Sequence, residues 1–301
     1  MRKQGKGTVA LLIGTLIWGT AFVAQSVGMD YIGPFTFQTF RCFLAVAALC
    51  GIIGIFDRQK KDGKSFLSRF AVPGLWKAGL LCGTALFVAS SLQQVGLIET
   101  DAGKAGFLTA MYIVMVPLLG LLLGRKPPMT ALLSILPAVA GLYLLSCAGV
   151  TQISKGDILL LGSALAFAVQ ITLIDLLAVG LDGLRLNCMQ CFTCGVLSLI
   201  AMFLTEQPDI SAIRVSWLPI CYAGILSMGA AYSLQIVGQQ NLEPTRASLI
   251  MSLESVFAAL SGWLILKETM TPLEIFGCVL VFAAVILSQA PTCKRVQKKD
   301  R

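Results

Sequence analysis

One acidic residue lies in the middle of an apolar stretch near the end of the chain. Glu254 stands about nine residues into the predicted helix 245–266, about 14 Å deep at 1.5 Å per residue. An ionisable group at that depth costs at least a few kcal/mol unless it faces water or a partner, so it is a candidate functional residue. Its carboxyl group could bind a proton or a cationic substrate group. It could instead brace two helices as a neutral, hydrogen-bonded acid.

Tyr112, in the predicted helix 103–123, occupies the position that corresponds to Glu254. The segment SLQQVG at 91–96 matches SLQIVG at 233–238, an offset of 142 residues (233 − 91), and the same offset aligns Tyr112 with Glu254. If a pseudo-two-fold axis passes between these helices, the phenol and the carboxyl approach each other at similar depth. They could together bind a polar or cationic substrate group, or they could bond each other.

Other polar and aromatic side chains lie inside predicted apolar helices. Arg41, about 11 Å into the predicted helix 34–56, could meet a substrate carboxylate, pair with a buried acid, or extend its charge towards the interface. Gln93 and Gln235 correspond at the 142-residue offset, which suits the lining of a central site, although glutamine also bonds helices to one another. The remaining candidate substrate contacts are Gln170, in the middle of a predicted helix, and the aromatic residues Trp18 and Tyr232.

The residue content excludes most catalytic and cofactor chemistry. The chain has no histidine, which removes Ser-His and Cys-His pairs and histidine-based zinc motifs, and it has no Gly-rich P-loop for ATP. Cys188, Cys191 and Cys194 have the C-x2-C-x2-C spacing of iron–sulfur proteins, but they lie within an apolar stretch without a fourth cysteine followed by proline. We therefore predict no catalytic residue, no metal site and no cofactor.

The elements that position these residues are predicted to be membrane-spanning helices. Hydrophobic residues make up 56% of the 301-residue chain and charged residues 13%, against roughly 25% charged in soluble proteins. Apolar stretches of about 20 residues, enough to cross about 30 Å of hydrocarbon, recur throughout. The predicted helices are 8–28, 34–56, 74–96, 103–123, 129–149, 156–178, 184–204, 216–238, 245–266 and 272–290.

The ten predicted helices form two related halves. The 142-residue match continues to the end of the apolar region, and upstream, at a slightly larger offset, Cys42-Phe43 matches Cys191-Phe192. Two copies with an odd number of spans must be inverted relative to each other, which is the architecture of secondary transporters with a midplane site. We predict an all-α integral membrane protein with inverted five-helix repeats over 1–149 and 150–291, followed by a basic cytoplasmic tail over 292–301.

The distribution of basic residues predicts the orientation in the membrane. The net charge is +8, and with the N-terminus inside, most lysines and arginines fall on the cytoplasmic side, including the loop 57–73. This asymmetry follows the positive-inside rule. We predict a multi-pass protein of the cytoplasmic membrane with both termini in the cytoplasm, in contact with anionic lipids and without a nucleic-acid partner. The basic residues predicted on the outside are Lys104, Lys155, Arg214 and Lys267.

Two segments resemble signature helices of a known family. AGFLTAMYIVMVPLLGLLLGRKP (105–127) and SLESVFAALSGWLILKE (252–268) resemble helices 4 and 9 of the EamA family, part of the drug/metabolite transporter superfamily. Trp18-Gly19, with Phe22 and Arg41, also fits the first repeat of that family, and the resemblance covers nearly the whole chain. It implies ten spans with cytoplasmic termini, two inverted repeats around a central cavity, and export of amino acids or other small metabolites without ATP.

The chain departs from the family pattern at two positions. Prolines that often follow the two signature residues are replaced by Ile113 after Tyr112 and by Ser255 after Glu254. The resemblance therefore leaves the kinks of these two helices open.

These observations predict a secondary transporter that moves a small organic metabolite, such as an amino acid, by alternating access. Export is the preferred direction, Glu254 offers a route to proton coupling, and an importer of the same fold is the nearest alternative. An intramembrane enzyme is disfavoured because no nucleophile–base pair or carboxylate cluster lies at one depth. A non-transporting membrane scaffold would have a tightly filled centre, so an open polar cavity discriminates against it.

Overall fold

Every regular element in the described part of the chain is a helix. The computed structural model describes residues 2–60, 65–100, 102–146, 154–265 and 270–290. The elements, numbered here in chain order, are α1 (Arg2–Met29), α2 (Pro34–Gln59), a short 3-10 helix (Leu67–Arg69), α3 (Leu75–Ile98), α4 in two segments (Ala102–Ala110 and Tyr112–Leu122), α5 (Met129–Ser146), α6 (Lys155–Leu177), α7 (Gly183–Thr205), a short unnumbered helix (Ile210–Val215), α8 in three segments (Trp217–Cys221, a π-helix over Tyr222–Ala231, and Tyr232–Gln239), α9 in two segments (Pro244–Met251 and Leu253–Ile265), and α10 (Pro272–Gln289).

The predicted class, an all-α membrane protein, is confirmed. Among the described residues eight helices are long and apolar enough to cross a membrane, and these are α1 to α4, α6 to α8 and α10. Of the remaining two, α5 contains a shorter apolar helix, Met129–Leu145, and α9 is not among the eight. The predicted repeat boundary at 149/150, Lys267 and the tail 292–301 lie outside the described residues.

Capping residues set the starts of several helices. Ser154 accepts a hydrogen bond from the backbone N–H of Asp157, whose side chain accepts one in return from the N–H of Ser154, which forms a capping box at the start of α6. Thr271 and Glu274 form the same motif at the start of α10. Each box satisfies backbone donors that the first helical turn leaves without a partner.

Both α4 and α9 are interrupted next to the two signature side chains. The break in α4 falls at Met111, immediately before Tyr112, and the break in α9 falls at Ser252, two residues before Glu254. The Ser252 hydroxyl donates to the backbone carbonyl of Leu249 at 2.8 Å, a local bond of the kind that bends helices. The two helices are thus interrupted near these positions without the prolines common in the family.

Glycines allow a close helix contact between α5 and α10. A Cβ atom added to Gly141 would lie 2.7 Å from the carbonyl oxygen of Gly277, and one added to Gly277 would lie 2.6 Å from that of Gly141. Small residues of this kind let backbones approach in lipid, where packing rather than the hydrophobic effect drives association. None of the described residues that line the central cavity comes from α5 or α10.

Charged side chains join the ends of α2 and α7. Asp57 accepts a hydrogen bond from Arg185 and lies 3.7 Å from Nε of Arg69, while Arg185 also donates to Asp182. The side chains of Asp57 and Arg185 are only 8% and 7% exposed, whereas that of Asp182 is 39% exposed. Asp57 is therefore the main buried counter-ion of Arg185.

We expect Asp57→Asn to lower the free energy of unfolding by about 1.5–3 kcal/mol, because Arg185 loses a buried, charged hydrogen-bond partner and keeps only the more exposed Asp182. The measurement is the apparent melting temperature of the purified protein in detergent. Asp182→Asn is the matched control, since asparagine preserves the N-cap of α7 and Arg185 keeps Asp57. Equal melting temperatures for Asp57→Asn and Asp182→Asn would contradict the prediction.

Candidate functional site

A cavity lies near the centre of the bundle, between α1, α2, α3, α4, α6, α8 and α9. The space inside it that a water-sized molecule can reach is about 50 Å³. Seven of the eight residues predicted as substrate contacts line it: Trp18, Arg41, Gln93, Tyr112, Tyr232, Gln235 and Glu254. Six of these helices form three pairs that are related by the sequence repeat: α1 with α6, α3 with α8, and α4 with α9. Arg41 adds α2 to the lining.

Gln170, the eighth predicted residue, lies one layer behind the cavity wall. Its side chain is fully buried, its Oε1 accepts a hydrogen bond from Nε2 of Gln235 at 3.2 Å, and its Nε2 donates to Oε1 of Gln190 at 3.3 Å. Gln170 therefore acts on the cavity through Gln235.

Tyr112 and Glu254 bond each other across the pseudo-symmetry relation that the sequence predicts. The phenol O–H donates to Oε1 of Glu254 at 3.0 Å, and the two residues are 4% and 8% exposed. The described residues form no hydrogen bond to the other carboxyl oxygen, Oε2, of Glu254. Of the two sequence-based alternatives, mutual bonding is thus realised, and it leaves one carboxyl oxygen available to a ligand.

Arg41 brings a positive charge to the cavity without a carboxylate beside it. Its Nη1 donates to Oε1 of Gln25 at 2.6 Å, its Nη2 donates to Oε1 of Gln38 at 3.4 Å, and its guanidinium carbon lies 5.6 Å from the ring centroid of Phe37. Arg41 is 3% exposed, and no acidic side chain in the described part of the chain pairs with it. A buried guanidinium held only by neutral groups can bind an anion.

Three polar atoms of the cavity wall are buried without a hydrogen-bond partner in the described ranges. They are Nε1 of Trp18, Nε of Arg41 and Oε1 of Gln235, two donors and one acceptor. Buried polar groups in native proteins are nearly always hydrogen-bonded to protein or water. The wall is therefore built to accept water or a polar ligand, with donors near Arg41 and acceptors near Gln235 and Glu254.

Aromatic and apolar side chains complete the wall. The rings of Trp18 and Tyr232 are 4.9 Å apart at an interplanar angle of 66°, the edge-to-face arrangement that aromatic pairs prefer. Gln25 was not predicted, although it follows Trp18 by seven residues, two helical turns along the same face of α1. The other lining residues outside the predicted substrate contacts are Phe22, Thr109, Phe167, Ile171, Ser227, Met228 and Met251.

The cysteines with the C-x2-C-x2-C spacing lie on α7, facing α2. Cys194 and Cys42 have their sulfur atoms 3.6 Å apart, and those of Cys188 and Cys50 are 3.7 Å apart. The described residues contain no group of three or more His, Cys, Asp or Glu side chains that could hold a metal ion.

Comparison with known proteins assigns the family. Residues 5–147 and 154–289 match the model of the EamA-like transporter family. The chain belongs to the EamA-like transporter family. Membership places it among the membrane transporters of the drug/metabolite transporter superfamily, as the sequence resemblance predicted, and favours a transporter over an intramembrane enzyme.

Several relatives are similar in sequence to this EamA-like chain over most of its length. An uncharacterized transporter of Archaeoglobus fulgidus is 30% identical over 93% of this chain and 84% of its own. The uncharacterized transporter YoaV of Bacillus subtilis is 23% identical over 94% of this chain and 96% of its own. A WAT1-related chloroplastic protein of Arabidopsis thaliana is 23% identical over 95% of this chain and 71% of its own.

A solved structure supports the EamA-like fold. It is described only as the crystal structure of a protein, and it superposes with a TM-score of 0.78 over 95% of this chain and 96% of that chain. At 17% sequence identity the likeness concerns the fold alone.

Proposed function

We propose that this protein is a secondary transporter that exports a small zwitterionic metabolite, such as an amino acid, by alternating access. The observation that carries the proposal is that Arg41 and Glu254, which do not pair with each other, both line one polar cavity. A guanidinium without an acidic partner suits a substrate carboxylate, and a carboxyl with a free oxygen suits a substrate ammonium group. The unpartnered donors, Nε1 of Trp18 and Nε of Arg41, and the unpartnered acceptor, Oε1 of Gln235, match a ligand that carries both a carboxylate and an ammonium group.

We further infer that all ten helices cross the membrane as two inverted five-helix repeats. Helix packing supports this layout, because α1 packs on α8 and α9 while α6 packs on α3 and α4. Exchanging the halves (α1 with α6, α3 with α8, α4 with α9) converts one set of contacts into the other. The corresponding pairs Gln93 and Gln235, and Tyr112 and Glu254, also meet at one cavity, as expected for a site on the pseudo-symmetry axis.

Polar contacts at both ends of the cavity support alternating access. At the predicted cytoplasmic end, Arg125, which follows α4, forms an ion pair with Asp175 of α6 and so joins the first repeat to the second. At the opposite end, Lys104 of α4 forms an ion pair with Asp157 of α6 at 2.5 Å. Rocking one repeat against the other would open one closure while the other holds, around a fixed site.

A transport assay in cells tests the proposed substrate class and direction. Cells with and without the gene are grown on a panel of toxic amino acids and analogues, and efflux of the radiolabelled compounds is measured. Export predicts resistance and faster efflux when the protein is present, whereas an importer of the same fold predicts greater sensitivity and uptake. The absence of any difference across the panel would contradict an amino-acid substrate.

The proposed orientation, with both termini in the cytoplasm, makes a labelling prediction. Lys60 and Lys155 are both exposed, and the charge asymmetry assigns them to opposite sides of the membrane. In intact cells a thiol reagent that cannot cross the membrane should label Lys155→Cys and not Lys60→Cys, and both should react after lysis. Mass spectrometry of the labelled peptide separates these sites from native cysteines. Labelling of position 60 in intact cells would contradict the topology.

A further inference from the structure

The cavity wall formed by α8 has an unusual backbone. Residues Tyr222–Ala231 form a π-helix, and the N–H of Tyr232 bonds the carbonyl of Ser227, five residues earlier. Ser227 and Met228, from this segment, line the cavity. The stretch 80–89, which corresponds to it at the 142-residue offset, is regular α-helix within α3. π-Helical turns are rare and are concentrated at functional sites.

Asn187 of α7 holds the end of this π-helical segment. It is fully buried, and its Nδ2 lies 2.9 Å from each of three oxygens: the carbonyls of Met228 and Gly229 and the hydroxyl of Ser233. Backbone carbonyls can only accept hydrogen bonds, so the amide of Asn187 must direct its NH2 group at α8 and its Oδ1 away from it. The contacts with α8 thereby decide the orientation of the Asn187 amide.

A chain of amides carries this orientation from Asn187 to the cavity. Oδ1 of Asn187 accepts from Nε2 of Gln190 at 2.8 Å, Oε1 of Gln190 accepts from Gln170, and Oε1 of Gln170 accepts from Nε2 of Gln235. In each link the NH2 group of one amide donates to the carbonyl oxygen of the amide before it, so the orientation of one amide fixes that of its neighbour. The last amide, that of Gln235, is therefore left with its carbonyl oxygen Oε1, which is buried and has no partner among the described residues, on a side chain that lines the cavity.

We propose that Asn187 is a positioning residue that sets the hydrogen-bonding polarity of the cavity, by holding the π-helical wall and by presenting the carbonyl oxygen of Gln235 to the substrate. The proposal rests on the proposed function in one respect, that the cavity is the substrate site. It makes Gln235 an acceptor beside the carboxyl of Glu254, while the donors of Arg41 and Trp18 serve other parts of the ligand. The end of the substrate that meets Gln235 must then carry N–H or O–H groups, as an ammonium does.

Asn187 has two arms, the NH2 group that contacts α8 and the Oδ1 atom that begins the amide chain. Two variants separate these arms, and a third is the control. Asn187→Leu keeps the approximate volume and removes both arms. Gln190→Leu interrupts the amide chain and leaves the contacts between Asn187 and α8 in place. Ser198→Ala removes a buried hydroxyl of the same helix that donates to the carbonyl of Cys194 of its own helix.

Hydrogen exchange of the purified full-length protein in nanodiscs tests the first arm without a transport assay. Exchange of peptides covering 222–239 should become at least about tenfold faster in Asn187→Leu, since the bonds that hold the π-helical segment are lost. It should stay unchanged in Gln190→Leu and Ser198→Ala. Unchanged exchange in Asn187→Leu would overturn the proposal. If that variant does not reach the membrane, Asn187→Ser, which is too short to reach the carbonyls, takes its place with the same expected result.

Uptake of radiolabelled L-alanine into proteoliposomes tests the second arm. Gln190→Leu should raise KM about tenfold, the effect of one misdirected hydrogen bond, with the maximal rate within about twofold of wild type. Uptake of L-lactate, which lacks the ammonium group, should change less, and Ser198→Ala should change neither. An unchanged KM for L-alanine would overturn the positioning role. Failure of the wild type to move L-alanine would count against the proposed function for this probe, while hydrogen exchange would still decide on Asn187.

Discussion

Replacing Glu254 with glutamine is expected to abolish transport while the protein reaches the membrane at its normal level. Glutamine keeps the shape of the side chain, and its Oε1 can still accept the hydrogen bond that Tyr112 donates at 3.0 Å. The contact between α4 and α9 should therefore survive. What the variant loses is the ability to carry a negative charge or to bind and release a proton. If the carboxyl binds the substrate amine and exchanges it for a proton, the variant loses both substrate binding and proton exchange.

The measurement is transport by wild type and Glu254→Gln at equal membrane levels, between about pH 6 and pH 8. Tyr112→Phe is the matched control, since it removes the hydrogen bond that Glu254→Gln keeps and it keeps the carboxyl, and it should retain transport at a reduced rate. If the pair only braces two helices, the order reverses, so that Glu254→Gln transports almost normally and Tyr112→Phe is the weaker variant. Near-normal transport by Glu254→Gln across this pH range would refute a functional carboxyl.

Replacing Arg41 with glutamine should reduce transport of carboxylate-bearing substrates about 10-fold to 100-fold. A hydrogen bond to a charged group contributes about 1.5–3 kcal/mol, which corresponds to a factor of about 10 to 100 in affinity. Arg41 has no acidic partner in the described part of the chain, so its removal leaves no opposite charge uncompensated, and we expect the fold to tolerate the change. The transport rate of Arg41→Lys should fall between those of wild type and Arg41→Gln, because lysine keeps the charge and loses the fork that bonds Gln25 and Gln38.

A matched pair of substrates distinguishes binding of the carboxylate from a general loss of activity. Wild type should prefer L-alanine to L-alaninamide, in which the carboxylate is replaced by a neutral amide. Arg41→Gln should lose this preference by slowing L-alanine transport and leaving that of L-alaninamide nearly unchanged. An equal loss for both compounds would mean that Arg41 supports the bundle rather than the substrate carboxylate.

Several predicted helices are present, but unlike the sequence-based prediction they are not continuous α-helices. The prediction for 216–238 was one continuous helix, and the structure divides it into an α-helical, a π-helical and a second α-helical segment. Hydrophobicity determines that this stretch is helical, because lipid cannot satisfy backbone N–H and C=O groups. It does not distinguish an i→i−4 ladder from an i→i−5 ladder. The Asn187 side chain from α7 favours the latter by supplying donors to the carbonyls of Met228 and Gly229.

The sequence by itself determined the membrane class and the correspondence of Tyr112 with Glu254. Both follow from composition and from the internal repeat, which are properties of the chain that need no knowledge of contacts. Only the tertiary structure decided that Arg41 lacks an acidic partner among the described residues, that Gln170 stands behind Gln235, and that the carbonyl oxygen of Gln235 is buried without a partner there. The physical reason is that the direction of an amide or the pairing of a charge depends on donors and acceptors from other helices, whose relative rotation leaves no periodic signal in the sequence.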